Sequence, residues 1–127
     1  MLKRTMIKTL FAVAAVSVAA SIAAANEVKK GYADVNGVNY YYEITGSGDP
    51  LLLLHGGLGS IEMFGPARVA LAQHRQVIAV DLHGHGRTPL GTRHIDLLDQ
   101  GNDMAGLLKA IGVSQADVMG YSMGARS

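Results

Sequence analysis

Through most of this sequence apolar residues fall into short unbroken runs separated by glycine-rich turns. Leu51–Leu54 and Val77–Val80 are such runs, and Ala116–Tyr121, broken by Asp117, reads as a third buried strand. Apolar runs of this length fit strands covered on both faces, as in a parallel sheet flanked by helices. Between them, helical spacing appears twice. Met63, Ala67, Ala70 and Leu71 recur at helical intervals within Ile61–Ala72, and Gly65-Pro66 is expected to delay the helix start to Pro66. Leu97, Leu98, Met104, Leu107, Leu108 and Ile111 make one broad stripe within Asp96–Ile111, with Gly101 weakening its middle and Gly112 placed to end it. Upstream, Tyr32–Thr45 reads as a hairpin turning at Asn36-Gly37, because both residues tolerate positive φ and the flanks are rich in strand formers. Gly46-Ser47-Gly48-Asp49-Pro50 closes it as a loop. The fold class this predicts is α/β. A partial sheet starts with an antiparallel hairpin and continues in parallel strands joined by right-handed crossover helices. Function in such sheets gathers at the carboxyl ends of the strands.

Residues 1–25 follow another pattern. Lys3, Arg4 and Lys8 precede an almost unbroken apolar run, Thr9–Ala24, which closes on Ala23-Ala24-Ala25 before polar Asn26 and Glu27. A basic start, an apolar stretch and small residues at a cleavage point describe a secretory signal peptide, cut at Ala25–Asn26. The run is shorter and richer in alanine than a membrane span, so no stable anchor is expected after cleavage. The mature part is residues 26–127, and its expected location is the periplasm or the exterior. With no cysteine in the chain, lipid attachment at cysteine and disulfides are both excluded. Losing Lys3, Arg4 and Lys8 turns the formal +1 of the whole chain into −2, eight basic residues against ten acidic. No basic patch with interleaved aromatics exists, so nucleic acid is not an expected partner.

Three motifs close the three apolar strands. Gly120-Tyr121-Ser122-Met123-Gly124 follows the last of them. A serine hydroxyl is a poor nucleophile unless it is held exposed on a rigid turn beside a base, and a sharp strand-to-helix turn needs small residues two before and two after it. Gly120 and Gly124 meet that need, and the Met123 amide would point at an oxyanion with help from the helix dipole. His55-Gly56-Gly57-Leu58-Gly59 follows the first strand. Its glycines let the backbone approach a ligand and turn an amide inward, with Gly57 the first candidate donor and Leu58 the next. His55 itself reads as a residue that hydrogen-bonds its own loop. Asp81-Leu82-His83-Gly84-His85-Gly86-Arg87-Thr88 follows the second strand. Asp81 is expected to fix that loop through its backbone. His83 and His85 lack a third ligand nearby and do not share a helical face, so no metal site is expected.

Taken together, these motifs resemble the α/β-hydrolase superfamily across essentially the whole mature chain. The resemblance rests on their order: an HGG turn, an Asp-x-His-Gly-x-Gly loop and a Gly-x-Ser-x-Gly elbow, each ending a strand. It implies that Ser122 is the nucleophile, that the Gly57 and Met123 amides form the oxyanion hole, and that Gly120, Gly124, His55, Gly56 and Asp81 support the loops. It further implies an ester-like small-molecule substrate and no metal or organic cofactor. Dehalogenases and epoxide hydrolases of this fold carry an aspartate where this chain has Ser122, which disfavours them. The superfamily's acid and histidine follow the serine, whereas His55, His74, His83, His85 and His94 all precede it. The expectation is therefore the N-terminal part of a hydrolase about twice as long, truncated after the elbow and lacking normal esterase activity alone. The alternative is a non-catalytic fragment or a binding protein of the same fold. A dinucleotide-binding domain is disfavoured, because the first strand is not followed by Gly-x-Gly-x-x-Gly.

Overall fold

The computed structural model describes residues 27–127, and Ala19 before them, so the expected signal segment lies outside the described residues. Its elements are β1 (Val28–Val35), β2 (Val38–Thr45), β3 (Pro50–Leu54), a 3-10 turn (Ile61–Phe64), α1 (Gly65–Ala72), β4 (Gln76–Val80), α2 (Leu97–Ala110), β5 (Asp117–Gly120) and a second 3-10 turn (Ser122–Arg126). The strands form one open sheet in the order β1-β2-β4-β3-β5. β1 and β2 are an antiparallel hairpin that begins four residues before the tyrosine-rich stretch, at Val28. The turn works as its two residues require, with Asn36 at φ 50° and Gly37 at φ 83°. β2 lies antiparallel to β4, and β3 runs parallel to both β4 and β5.

Strand alternation sorts the apolar runs onto two faces. Leu52, Leu54, Ile78 and Val80 pack with Val35, Val38, Tyr40 and Leu82 beneath Met104 and Leu107 of α2. Leu51, Leu53, Val77 and Ala79 face the other way, with Tyr41, Ile61 and Ala72. Both faces of β3 and β4 are therefore buried, which explains their unbroken apolar character.

α2 starts where Asp96 caps it, accepting from the Leu98 and Asp99 amides at 2.8 and 3.0 Å. It ends in a Schellman motif: Val113 N–H reaches Leu108 O at 2.8 Å and Gly112 N–H reaches Lys109 O at 3.2 Å, with Gly112 at φ 79°. Its buried stripe is narrower and more polar than the spacing predicts. Leu98 is 80% exposed, while Gln100 and Asp103 are buried beside Met104 and Leu107. The Asp103 carboxylate accepts from Asn36 Nδ2 at 2.8 Å, from Tyr40 Oη at 2.6 Å and from the Arg93 guanidinium, tying α2 to the hairpin and to the loop before it. Burial pushes that carboxyl up, but Arg93, Tyr40 and Asn36 outweigh it and hold it below the usual range.

α1 departs further from expectation. A 3-10 turn precedes it, and of its own residues only Ala72 is buried, with Ala67 and Ala70 exposed. An ion pair holds it as well: Arg68 Nη1 donates at 2.5 Å to Glu43 of β2, which also accepts from Tyr41 Oη at 2.8 Å. The expected burial of the last strand is also not found. β5 is exposed at Asp117, Val118 and Met119, because it pairs only with β3 and forms the sheet's edge.

Candidate active site at the carboxyl ends of three strands

The ends of β3, β4 and β5 lie side by side, so the three glycine-rich loops meet. Tyr121 N–H donates to Leu54 O at 3.0 Å, which seats the start of the elbow on the end of β3. Ser122 follows with φ 51° in the left-handed region, exposed, between β5 and the second 3-10 turn. A non-glycine residue there is strained by roughly 1–2 kcal/mol, and the surroundings must enforce it. They do so through the two glycines. A Cβ on Gly120 would collide with the backbone of Gly124 and Ala125, and one on Gly124 would collide with the Leu54 and His55 carbonyls. Gly124 N–H closes the turn on Tyr121 O at 3.0 Å. From α2, Gln100 Nε2 donates to Ser127 Oγ at 2.8 Å, and Gly101 leaves the room that Ser127 needs.

The loop after β3 lies against this turn. A Cβ on Gly56 would sit 3.0 Å from the Tyr121 ring, and one on Gly57 would sit 3.8 Å from Met123 Sδ. Among the described residues the Gly57 N–H donates to no backbone acceptor outside regular elements. The loop turns back on itself through Gly59 N–H to Gly56 O at 3.1 Å, with Leu58 at φ 61°. Beside it a cavity of about 360 Å³ is lined by His55, Met63, Phe64, Met119, Gly120 and Tyr121.

His55 is fully buried and bonded at both ring nitrogens. Nδ1 meets Gly56 O at 2.7 Å and Nε2 meets the Leu82 N–H at 2.9 Å. A carbonyl requires an N–H and an amide N–H requires a lone pair, so the ring is the neutral Nδ1–H tautomer. Burial lowers its pKa, and the His85 ring 5.2 Å away adds to the effect. His55 thus joins the β3 loop to the β4 end and has no free nitrogen for proton transfer.

Asp81, also fully buried, makes the second joint. Oδ1 accepts from Ile61 N–H at 2.8 Å, and Oδ2 accepts from Arg87 N–H at 2.9 Å and Arg87 Nε at 2.8 Å. Gly86 has no room for a Cβ beside that carboxylate. Arg87 continues outward to Glu62, Nη1 to Oε1 at 2.8 Å and Nη2 to Oε2 at 3.0 Å, and its guanidinium lies 4.3 Å from the centre of the Tyr41 ring. The Arg87 guanidinium, with help from Ser60 Oγ, holds the Glu62 carboxyl at about 2. Thr88 Oγ1 donates to Asp81 O at 2.6 Å and accepts from Tyr41 N–H at 2.9 Å. Sequence reasoning assigned no role to Arg87, Glu62 or Thr88. Arg87 and Thr88 lie within the Asp81 motif, but Glu62 is 25 residues from its partner and carries no signal of the pairing.

His83 donates Nε2–H to Leu90 O at 2.7 Å, and His85 donates Nδ1–H to His83 O at 2.9 Å. Among the described residues no group of three or more histidines and carboxylates could hold a metal ion, and no histidine hydrogen-bonds Ser122. Nor is any described helix long and apolar enough to cross a membrane.

Comparison with known proteins gives a consistent picture. A family model described as the alpha/beta hydrolase fold matches residues 49–126. A candidate carbamate hydrolase, RutD, of Azorhizobium caulinodans is 38% identical over 93 residues, covering 73% of this chain and 35% of its own length. A soluble epoxide hydrolase of a Corynebacterium species is 33% identical over 98 residues, covering 77% of this chain and 34% of its own. Among solved structures, a bacterial membrane phospholipase A superposes with a TM-score of 0.73 at 27% identity, covering 96% of this chain and 44% of that one. The matched 93 and 98 residues span 35% and 34% of these two curated relatives, so each relative is a little over twice as long as this chain.

Proposed function

The chain belongs to the α/β-hydrolase fold family, and from that premise we propose that it is the nucleophile-bearing part of an exported serine hydrolase that cleaves an ester or related acyl bond. Ser122 is the nucleophile, and the amides of Gly57 and Met123 are the oxyanion donors. The observation that carries the reading is the elbow. Ser122 is exposed in a strained left-handed conformation that Gly120 and Gly124 alone make room for, against a loop whose Gly57 lies beside Met123. Strain of this kind at an exposed polar side chain is what nucleophile positioning requires. The relatives' names include carbamate, epoxide and phospholipid hydrolysis, so the likeness supports hydrolysis and leaves the bond to the chemistry of the site. A serine that attacks a carbonyl points to acyl transfer.

In that reaction Ser122 Oγ bonds to the carbonyl carbon, the carbonyl oxygen becomes an oxyanion held by the two amides, and the C–O bond to the leaving group breaks. The hydroxyl proton passes to a base and water later releases the acyl group. Among the described residues no histidine hydrogen-bonds Ser122, and His55, His83 and His85 bond their own loops, so the serine proton is expected to pass to solvent in this chain. The 127-residue chain is therefore expected to be acylated by p-nitrophenyl acetate with a burst of p-nitrophenolate no larger than the protein concentration, followed by slow turnover. Ser122→Ala abolishes the burst. Equal p-nitrophenolate release from the parent and from Ser122→Ala would overturn the reading, and sustained turnover that Ser122→Ala removes would overturn the predicted weakness of the chain alone. Export rests on the basic start, the Thr9–Ala24 run and Ala23-Ala24-Ala25. It predicts that protein recovered from outside the cytoplasm begins at Asn26.

A further inference from the structure

Gly57 is poorly held by its own loop. Three of the five residues from Gly56 to Ser60 are glycine, and Leu58 among them is fully exposed at φ 61°. Among the described residues, the loop's internal backbone bond is Gly59 N–H to Gly56 O at 3.1 Å. A stretch so rich in glycine samples many conformations, whereas an oxyanion donor is useful only if it is fixed before the charge develops. The fixing comes from the two ends of the loop. His55 fastens the entry by accepting from Leu82 N–H at 2.9 Å. A closed circuit of hydrogen bonds fastens the exit. Ser60 Oγ donates to Glu62 Oε2 at 2.6 Å, and Arg87 Nη1 and Nη2 donate to Glu62 Oε1 and Oε2 at 2.8 and 3.0 Å. Arg87 Nε donates to Asp81 Oδ2 at 2.8 Å, and Asp81 Oδ1 accepts from Ile61 N–H at 2.8 Å. The circuit starts at Ser60 and returns at Ile61, the next residue, so it brackets the peptide bond where the loop ends.

Arg87 joins the two carboxylates of this circuit, Asp81 fully buried and Glu62 63% exposed. A lysine carries the same charge without the planar fork and would serve one carboxylate at a time. Ile61 is buried among Tyr41, Leu51 and Leu53 and would keep the loop exit on the sheet without the circuit, so what the circuit adds is orientation. We propose that Arg87 is a positioning residue for the Gly57 amide: through Asp81 and Glu62 it sets the exit of the loop and so keeps the oxyanion donor aimed beside Met123. The side-chain hydrogen bonds of Arg87 all go to Asp81 and Glu62, and it acts on the reacting atoms through the loop alone. This rests on the serine-hydrolase reading for the oxyanion, while the holding of the loop requires no chemistry.

Loop and reaction are read separately, both in the full chain. By NMR relaxation the amide order parameter of Gly57 is expected near about 0.85 in the parent, below about 0.6 in Arg87→Lys and between the two in Glu62→Gln. The Ile78 amide of β4 is expected to stay rigid in all three. Glu62→Gln removes an exposed pair and is expected to melt close to the parent, so it carries the test if Arg87→Lys fails to fold. The rate constant of the p-nitrophenyl acetate burst is expected to fall on the order of tenfold in Arg87→Lys and about threefold in Glu62→Gln, part of the roughly 10²–10³ lost with a whole oxyanion donor. The double variant should be no slower than Arg87→Lys, because both changes open one circuit. Lower melting with Gly57 order and burst rate unmoved would show a structural role alone and overturn the inference. So would slowing that multiplies in the double variant. If p-nitrophenyl acetate leaves Ser122 of the parent unmarked while Gly57 loosens in the variants, the serine reading falls and the holding of the loop by Arg87 stands. If Ser122 is marked and Gly57 stays rigid in both variants, the serine reading stands and the inference falls.

Discussion

Strands β4 and β5 are both short and both run parallel to β3, yet β4 is buried at every position after Gln76 and β5 at none. β4 lies between β2 and β3 and is covered from both faces, whereas β5 has one neighbour. Their ends differ in the same way. The loop after β4 is fastened by Asp81, Arg87, Thr88 and His55 into the β2 and β3 segments, and the turn after β5 depends on two glycines and a few backbone bonds. The difference teaches a division of labour: the rigid β4 end holds the loop that carries Gly57, and the serine is presented from the open edge.

The same substitution in the two strands should break or confirm this contrast. Ile78→Lys places a charge in a fully buried position and is expected to cost more than about 4 kcal/mol, enough to unfold the chain. Val118→Lys, at a position 59% exposed, is expected to stay within about 0.5 kcal/mol of the parent in urea titration. Similar losses for both would show that β5 is as well covered as β4. Next in size is Asp81→Ala, which leaves the Ile61 amide and the Arg87 guanidinium without their buried partner and is expected to cost about 3–5 kcal/mol. Gly124→Ala forces a collision with the end of β3 and is expected to cost about 1–3 kcal/mol while suppressing acylation of Ser122, since the elbow moves before the sheet does.

The pH prediction concerns the β4 joint. The pKa of His55 is lowered in the folded chain below the ordinary imidazole value of 6.5, because burial disfavours the charged ring. The unfolded chain then binds the extra proton more readily, so the His55 contribution is full above about pH 6.5 and is lost as the pH falls from there toward the folded value. Melting temperature measured down that range should drop, and His55→Gln should flatten the dependence. An equally steep dependence in His55→Gln would place the titrating group elsewhere. A small effect of opposite sign belongs to the loop after β3: Leu58, at φ 61°, is expected on change to Gly to stabilise by about 0.5–1 kcal/mol, strain relief less the entropy glycine adds to the unfolded chain.

Much of this architecture is legible in the sequence where a local rule decides it. Asn36-Gly37 specifies its turn, Asp96 and Gly112 mark the ends of α2, and the apolar runs at Leu51–Leu54 and Val77–Val80 identify strands buried on both faces. The glycine spacing around Ser122 likewise anticipates a turn with no room for a Cβ at either flank. What escapes sequence reasoning depends on partners far along the chain. Val118 and Met119 look like core residues, because hydrophobicity records what a strand can bury and not whether a neighbour is present to bury it. Nothing in the sequence near Asp103 signals that Asn36, 67 residues away, and Tyr40 bring their donors to it. Glu62 and Arg87 form their fork across a sheet end that spacing does not reveal.

The central claim, that the elbow makes Ser122 the chain's reactive serine, is tested most directly by locating the acyl group. After brief exposure of the full chain to p-nitrophenyl acetate, peptide mass spectrometry should find acetyl on Ser122 in excess over Ser60, Ser114 and Ser127, by on the order of a hundredfold from oxyanion stabilisation. Acetyl spread evenly over the exposed serines, or absent from Ser122 while present on the others, would contradict it.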